Sequence, residues 1–290
     1  MTTAGVFVGL STVDIVYGIR DFPKPNSKNV ATRQDVFAGG PATNAAITFA
    51  RLGGDGTLIT VVGTHPLAAI IKHELAEFGV VLVDLLPETD AIPSLSSSLV
   101  TEGSGERMVV SANATRLPTP PGFSEPSRID GASVVLVDGH HMATCRSAAE
   151  YARSQGIRVV LDGGSWKDGM AELLASVDVA ICSQNFTPPG CADESGVIDY
   201  LRRQGIAEVA ITNGGKAIRY ASPIGSGEIP VPQVKAVDTL GAGDIFHGAF
   251  CHRYVENGFG FRGALEFASG IASRSCQYFG TRAWMTPTRI

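Results

Sequence analysis

The chain has 290 residues, 44% of them hydrophobic and 18% charged, which is enough apolar chain for a sizeable core and too little charge for global disorder. Its net charge of −5 and pI of about 5.7 argue against a nucleic-acid partner, and no apolar run reaches the length of a bilayer span, which argues against a membrane one. Cys145, Cys182, Cys191, Cys251 and Cys276 are scattered and odd in number with no C-x-x-C pair, so a disulfide framework or zinc site is not expected and a reducing, cytoplasmic setting is.

The first apolar run, Val6–Leu10, has no basic segment ahead of it and reads as a buried strand, not a signal peptide. Half-polar strands follow near Ile15–Ile19 and Asn29–Phe37. Gly39-Gly40-Pro41 opens a helix over Ala42–Leu52, with the proline in its first turn, and Gly53-Gly54 closes it. Strand Thr57–Val62, helix Leu67–Phe78 and strand Val80–Leu85 come next. Ser94–Ser111 reads as a hairpin turning at Glu102–Gly105.

Strands are then expected at Ser133–Asp138, Arg158–Asp162, Val177–Cys182 and Glu208–Thr212. Helices separate them near Ala143–Gln155, Lys167–Leu174 and Glu194–Gln204. A hairpin over Ala217–Val231 and helices near Ala242–Val255 and Phe261–Tyr278 complete the order. Apolar strands alternating with helices predict an α/β fold, a doubly wound and mainly parallel sheet flanked by helices. The early half-polar strands and the Ser94–Ser111 hairpin break that rhythm and predict a small separate β-sheet. One domain over residues 1–290 is expected, with the extra strands inserted at about 15–37 and 94–115.

The segment richest in chemistry is Asp238-Thr239-Leu240-Gly241-Ala242-Gly243-Asp244. If a helix starts here, the free amides of Gly241, Ala242 and Gly243 converge at its positive end, an anion site suited to a transferring phosphoryl group. Asp244 falls in the first turn, where a carboxylate can take the proton of an attacking hydroxyl, and the helix end should help keep it ionised. Taken alone, G-A-G-D equally well begins an ordinary helix. Rival motifs fail on inspection. Phe246 stands where a dinucleotide fingerprint needs glycine, and Ala210 and Ala217 stand where a Walker A loop needs glycine and Ser or Thr. His247 and His252 are five apart on one helix, and His140-His141 point to opposite faces of a strand end, so neither pair is read as a metal site.

Asp238–Phe250 resembles the C-terminal signature of the ribokinase-like (PfkB) carbohydrate kinases. Gly39-Gly40-Pro41-Ala42-Thr43-Asn44 is similar to that family's glycine-pair motif. The resemblance implies a lid of β-strands over a sugar, ATP along the sheet edge with Mg2+ arriving on it, and Asp244 as catalytic base beside an anion hole at Gly241, Ala242 and Gly243. It implies sugar contacts from Asp14, Gly39, Gly40 and Asn44, with Arg107 reaching in from the lid. A capping or turn role is the alternative for Asp14 and Asn44, and a solvated turn for Arg107. Thr212, Gly214 and Gly215 look like the nucleotide loop, or an ordinary Asn-Gly turn. Cys276 falls where the family lines the adenine pocket, or is a core thiol. Family lids often pair, which implies a homodimer.

Many members carry N-x-x-E, which helps organise Mg2+ and phosphates. Here Asn185 is a nucleotide-site candidate, but Pro188 stands in the place of the glutamate and Glu194 is the next acid. The ketose-kinase branch also lacks that glutamate, and Gly105-Glu106-Arg107 and Phe246-His247-Gly248-Ala249 are similar to it. The expectation is an ATP-dependent sugar kinase acting on a ketose. A nucleoside or sulfosugar kinase of the same fold, or a catalytically silent sugar-binding regulator, are the alternatives.

Overall fold

In the computed structural model of the chain, residues 3–120, 122–256 and 258–285 are described, and the two ends of the expected 1–290 span lie outside them. In chain order the first elements are β1 (Ala4–Val8), β2 (Thr12–Ile19), β3 (Arg33–Gly39), α1 (Pro41–Arg51), β4 (Asp55–Thr60), α2 (Ala68–Glu77) and β5 (Val81–Asp84). The hairpin β6 (Ser94–Thr101) and β7 (Arg107–Ser111) precedes β8 (Val134–Val137), α3 (Met142–Ser154), β9 (Arg158–Gly163), α4 (Met170–Leu174) and β10 (Val179–Ser183). The chain then runs through α5 (Glu194–Arg203), β11 (Glu208–Thr212), β12 (Ile218–Ser222), β13 (Gly225–Ile229), α6 (Ala242–Tyr254) and α7 (Gly260–Ser275).

One sheet has nine strands in the order β13-β12-β11-β10-β9-β8-β1-β4-β5. All neighbours from β11 to β5 pair in parallel, and the β11–β12 and β12–β13 pairs are antiparallel, so β12 alone runs against the rest. Alternation along the strands divides the core in two. Phe7, Leu58, Leu136, Val160 and Ile181 face α1, α2, α6 and α7, whereas Val6, Val8, Val135, Leu161 and Cys182 face α3, α4 and α5. Helices on both faces explain why the Val-Val-Leu-Val run of β8 is wholly buried. The chain builds outward from β1 in both directions, so strand order reverses between β1 and β8. In open α/β sheets ligands bind beyond the strand C-termini at such a point.

The second sheet has four strands, β3-β2-β6-β7. It starts at Thr12 and not Ile15, because Thr12 to Asp14 pair with Gly39 to Phe37 on one side and Ser94 to Ser96 on the other. The expected strand Asn29–Phe37 shifts to Arg33–Gly39, since residues 29–32 carry no pairing partner on β2 except through Thr32, which bonds the Gly18 carbonyl. The last helix ends at Ser275 and not Tyr278.

Candidate active site

The C-terminal ends of β1, β8 and β9 carry an acidic floor. Asp138, just past β8, accepts the amide of Leu10 at 2.8 Å and that of His140 at 2.8 Å. A Cβ on Gly9 would lie 2.1 Å from that carboxyl, so glycine is what lets it lie across β1. Burial works against the charge of Asp138, but His140 and the two amides hold its carboxyl below the usual range. Asp162 on β9 is buried, which pushes its carboxyl up, and His247 of α6 opposes the shift from 3.4 Å.

Above this floor begins α6. Gly241 precedes it with φ 68, a left-handed conformation that favours glycine, and a Cβ there would strike Thr281 at 2.6 Å. The amide of Ala242 makes a 3.3 Å bond to the Thr239 carbonyl, so that group is already engaged, whereas Gly243 is exposed and faces open space. Asp244 sits in the first turn, as expected, but the helix end does not keep it low. Burial and, next, the Asp162 carboxylate push it up to about 7, against a 2.7 Å bond from the Asn44 side-chain amide and the pull of His247. A carboxylate poised there suits proton transfer near neutrality.

Asn44 lies on α1, whose N-terminal neighbour Gly40 has φ 92 and no room for a Cβ, which would meet the Leu10 carbonyl oxygen at 2.3 Å. The Asn44 carbonyl oxygen accepts Arg282 Nη1 at 2.9 Å, so the amide is fixed with its nitrogen toward Asp244. Asp14, on β2, accepts the Thr12 hydroxyl at 2.6 Å. Gly39 sits against it, since a Cβ would fall 2.0 Å from Asp14 Oδ2. Burial raises the Asp14 carboxyl, offset by Thr12 and by the charge of Arg282. Asp14, Gly39, Gly40, Asn44, Gly241 and Asp244 are thereby linked through direct contacts with one another or with shared neighbours.

Arg107 is exposed at the start of β7, but its guanidinium is engaged. Its Nη1 donates to the Thr239 carbonyl at 2.7 Å and to the Thr239 hydroxyl, which ties the hairpin turn to the loop before α6. Thr212 ends β11, and Gly214 follows with φ 53. Gly215 accepts Gln233 Nε2 at 2.9 Å, and Asn213 donates to Glu194 at 3.0 Å, with Arg219 3.6 Å from the same carboxylate. Asn185 is exposed past β10, its amide bonded to the Ser183 hydroxyl. Cys276 is half-buried, which raises its thiol, and its carbonyl accepts the amides of Val237 and Asp238. His141 adopts φ 51 ahead of α3, and burial lowers its imidazole.

Sequence reasoning missed Asp138, Asp162, Glu74, Thr239 and Arg282, and left His247 unassigned. Asp138 and Asp162 had a signal, being acids at the C-termini of two apolar strands. Thr239 and His247 stand inside the Asp238–Phe250 segment, though nothing there names their partners, and Glu74 and Arg282 had no signal, each becoming visible only through contacts distant in sequence.

A family model described as pfkB family carbohydrate kinase matches residues 5–289. The ribokinase of Staphylococcus aureus (strain COL) is 27% identical over 296 residues, covering 98% of this chain and 96% of that protein. The deoxyribokinase of Salmonella typhi is 24% identical, covering 87% and 85%. The structure of Arabidopsis thaliana ribokinase complexed with ribose and ATP superposes with a TM-score of 0.76 at 22% identity, covering 97% of this chain and 94% of that one.

Proposed function

Starting from a chain that belongs to the pfkB family of carbohydrate kinases and is an ATP-dependent sugar kinase, we propose that it moves the γ-phosphate of ATP to a hydroxyl of a small free sugar, with Asp244 as the base. The observation that carries the reading is Asp244 itself, a carboxylate pushed up to about 7 in the first turn of a helix whose Gly243 faces open space. The sugar hydroxyl gives its proton to Asp244 as its oxygen attacks the γ-phosphorus in line, and ADP leaves. With the Ala242 amide engaged by Thr239, the exposed Gly243 at the start of α6 offers the backbone that meets the charge developing on the transferred group. Asp14 and Asn44 hold other hydroxyls of the sugar, with the Gly39–Gly40 backbone beneath them. Thr212, Gly214, Gly215, Asn185 and Cys276 border the nucleotide.

Among the described residues no three His, Cys, Asp or Glu side chains gather where they would hold a metal ion. Mg2+ is read as arriving on the nucleotide, where it neutralises phosphate charge and takes most of its ligands from phosphate oxygens and water. Glu194, the acid after the missing N-x-x-E glutamate, is held by Asn213 and Arg219.

Two sugar classes are carried into the test. The relatives named ribokinase and deoxyribokinase favour an aldopentose. The Gly105-Glu106-Arg107 turn and Pro188 in the place of the glutamate favour a ketose. A sulfosugar is disfavoured, since its sulfonate needs a free cation, and Arg107 is tied to Thr239 while Arg33 lies 3.3 Å from Asp35 and over the Phe279 ring. The reading assigns the enzyme to the cytoplasm, where ATP is at hand and free thiols persist. It also pairs two copies through the exposed lid strand β7.

ADP release with Mg·ATP is measured against aldopentoses, ketoses, sulfosugars and nucleosides, with Asp244→Asn run in parallel. One sugar is expected to give strong turnover, and the variant to lose about 10²–10⁴ in kcat. Binding of a sugar with no ADP formed would make the chain a silent sugar-binding regulator. Undiminished turnover by Asp244→Asn would remove the base.

A further inference from the structure

His247 takes no part in the transfer as drawn above, yet it is enclosed at the heart of the site with 4% of its surface exposed. Its Nδ1 stands 2.7 Å from the Gly243 carbonyl oxygen, and its Nε2 stands 3.1 Å from the Ile181 carbonyl oxygen on β10. A carbonyl oxygen only accepts. A neutral imidazole has one N–H, so it would press a ring lone pair against one of these two oxygens. Only a ring with a proton on each nitrogen satisfies both. The charge this requires has a partner in place, because Asp162 Oδ2 lies 3.4 Å from Nδ1 and is itself buried.

We propose that His247 is a resident imidazolium, paired to Asp162 and bridging the first turn of α6 to β10, and that it is a positioning residue for Asp244. The bridge fixes the Gly243 carbonyl, one residue before the base. The charge is the largest of those offsetting Asp162, whose carboxylate pushes Asp244 up. Asp138 and His140 from the end of β8 and Lys167 from the segment after β9 also act on Asp162, and Asp14 from β2 acts on Asp244. Lys167 is turned to the carbonyls of Asp138 and Ser165 at 3.2 and 3.3 Å. Burial pushes the thiols of Cys182 and Cys251 up, which keeps them neutral. Among the described residues, His247 is thus the cation at ion-pair distance from Asp162.

The kinetic half of this inference rests on Asp244 being the base, and the charge state of His247 does not. Long-range 1H–15N correlation on uniformly labelled wild-type enzyme at about pH 8, where an ordinary histidine is neutral, reads that state directly. The His247 ring, assigned by its loss in His247→Gln, is expected to show two protonated nitrogens. A ring with one protonated and one bare nitrogen overturns the proposal, whatever the substrate.

The second readout is the acid limb of kcat/KM. Asp244 must be ionised to accept a proton, so activity falls as pH drops through its titration. Removing a cation that favours the ionised form moves that limb to higher pH. His247→Leu is expected to shift it up by at least roughly half a unit, and adding Asp162→Asn to bring it back. Asp162→Asn alone, which serves if His247→Leu does not fold, is expected to shift the limb down. A limb that stays with wild type in these variants overturns the positioning role.

Discussion

Arg282 is the residue that turns separate features into one site. Its guanidinium bonds the Asn44 carbonyl oxygen at 2.9 Å, the Thr281 hydroxyl at 2.8 Å and the Ala38 carbonyl at 2.7 Å, and it pairs with Glu74. Glu74 in turn accepts the Ala38 amide at 2.6 Å. A planar fork with five donors suits this junction where a lysine would not. Both charges are largely enclosed, their side chains 14% and 11% exposed. Arg282→Met leaves the Glu74 carboxylate enclosed and unpaired, which costs about 3–5 kcal/mol. Urea unfolding is expected to show that loss, and the Glu74→Gln/Arg282→Met double variant to recover a large part of it. The single variant also frees the Asn44 amide to turn its oxygen toward Asp244, so KM for the sugar is expected to rise. Equal stability of Arg282→Met and wild type would sink the argument. Asn44 was legible from its place after the glycine pair. Arg282 was not, because a single arginine in Gly-Thr-Arg-Ala-Trp carries no local pattern, and its partners lie up to 244 positions away.

At the scale of elements, the contact that makes the site is α1 against α6. It brings Asn44 to Asp244 across 200 positions of sequence. Gly248 permits it. A Cβ there would lie 2.3 Å from the Ala45 carbonyl oxygen and 2.8 Å from Thr48 Cβ, so the two helix backbones come together here with no space between. Gly248→Ala improves helix propensity by about 1 kcal/mol. Overpacking against α1 costs about 1–3 kcal/mol, and with a carbonyl oxygen at this range it should sit at the upper end and win. Lower stability in urea is expected together with a higher sugar KM, because α1 must retreat and take Asn44 with it. Gains in stability would show that α1 yields freely. Both helices were legible as helices, since a Gly-Gly-Pro start and a Gly-Ala-Gly-Asp start are local signals. Their contact was not, because Gly248 reads as a minor flaw inside a helix until its neighbour is seen.

At the scale of the molecule, the order of α and β elements was readable because buried parallel strands and amphipathic helices differ in period and length. The pairing of the small sheet was not. Alternation says that a strand is half-buried and says nothing of its partner, so the parallel pairing of β2 with β6 across the chain had no sequence signal. That sheet leaves an edge. All of β7 is exposed, with Met108 at 50%, Val109 at 44% and Val110 at 71%, and Val36 on the opposite edge strand at 46%. An apolar edge strand invites pairing with another chain unless something covers it. The occupant that fits the proposed function is the same strand of a second copy, which would close a lid over each sugar. Sedimentation velocity is expected to show a dimer for wild type and a shift toward monomer for Val110→Glu, since a carboxylate on each copy would meet its like at the joint. Because Arg107 on the same strand holds the loop before α6, the monomeric variant is also expected to release ADP without sugar more readily, the lid no longer being held shut. A wild-type protein that stays monomeric at every concentration would end the dimer reading and leave β7 as a bare edge.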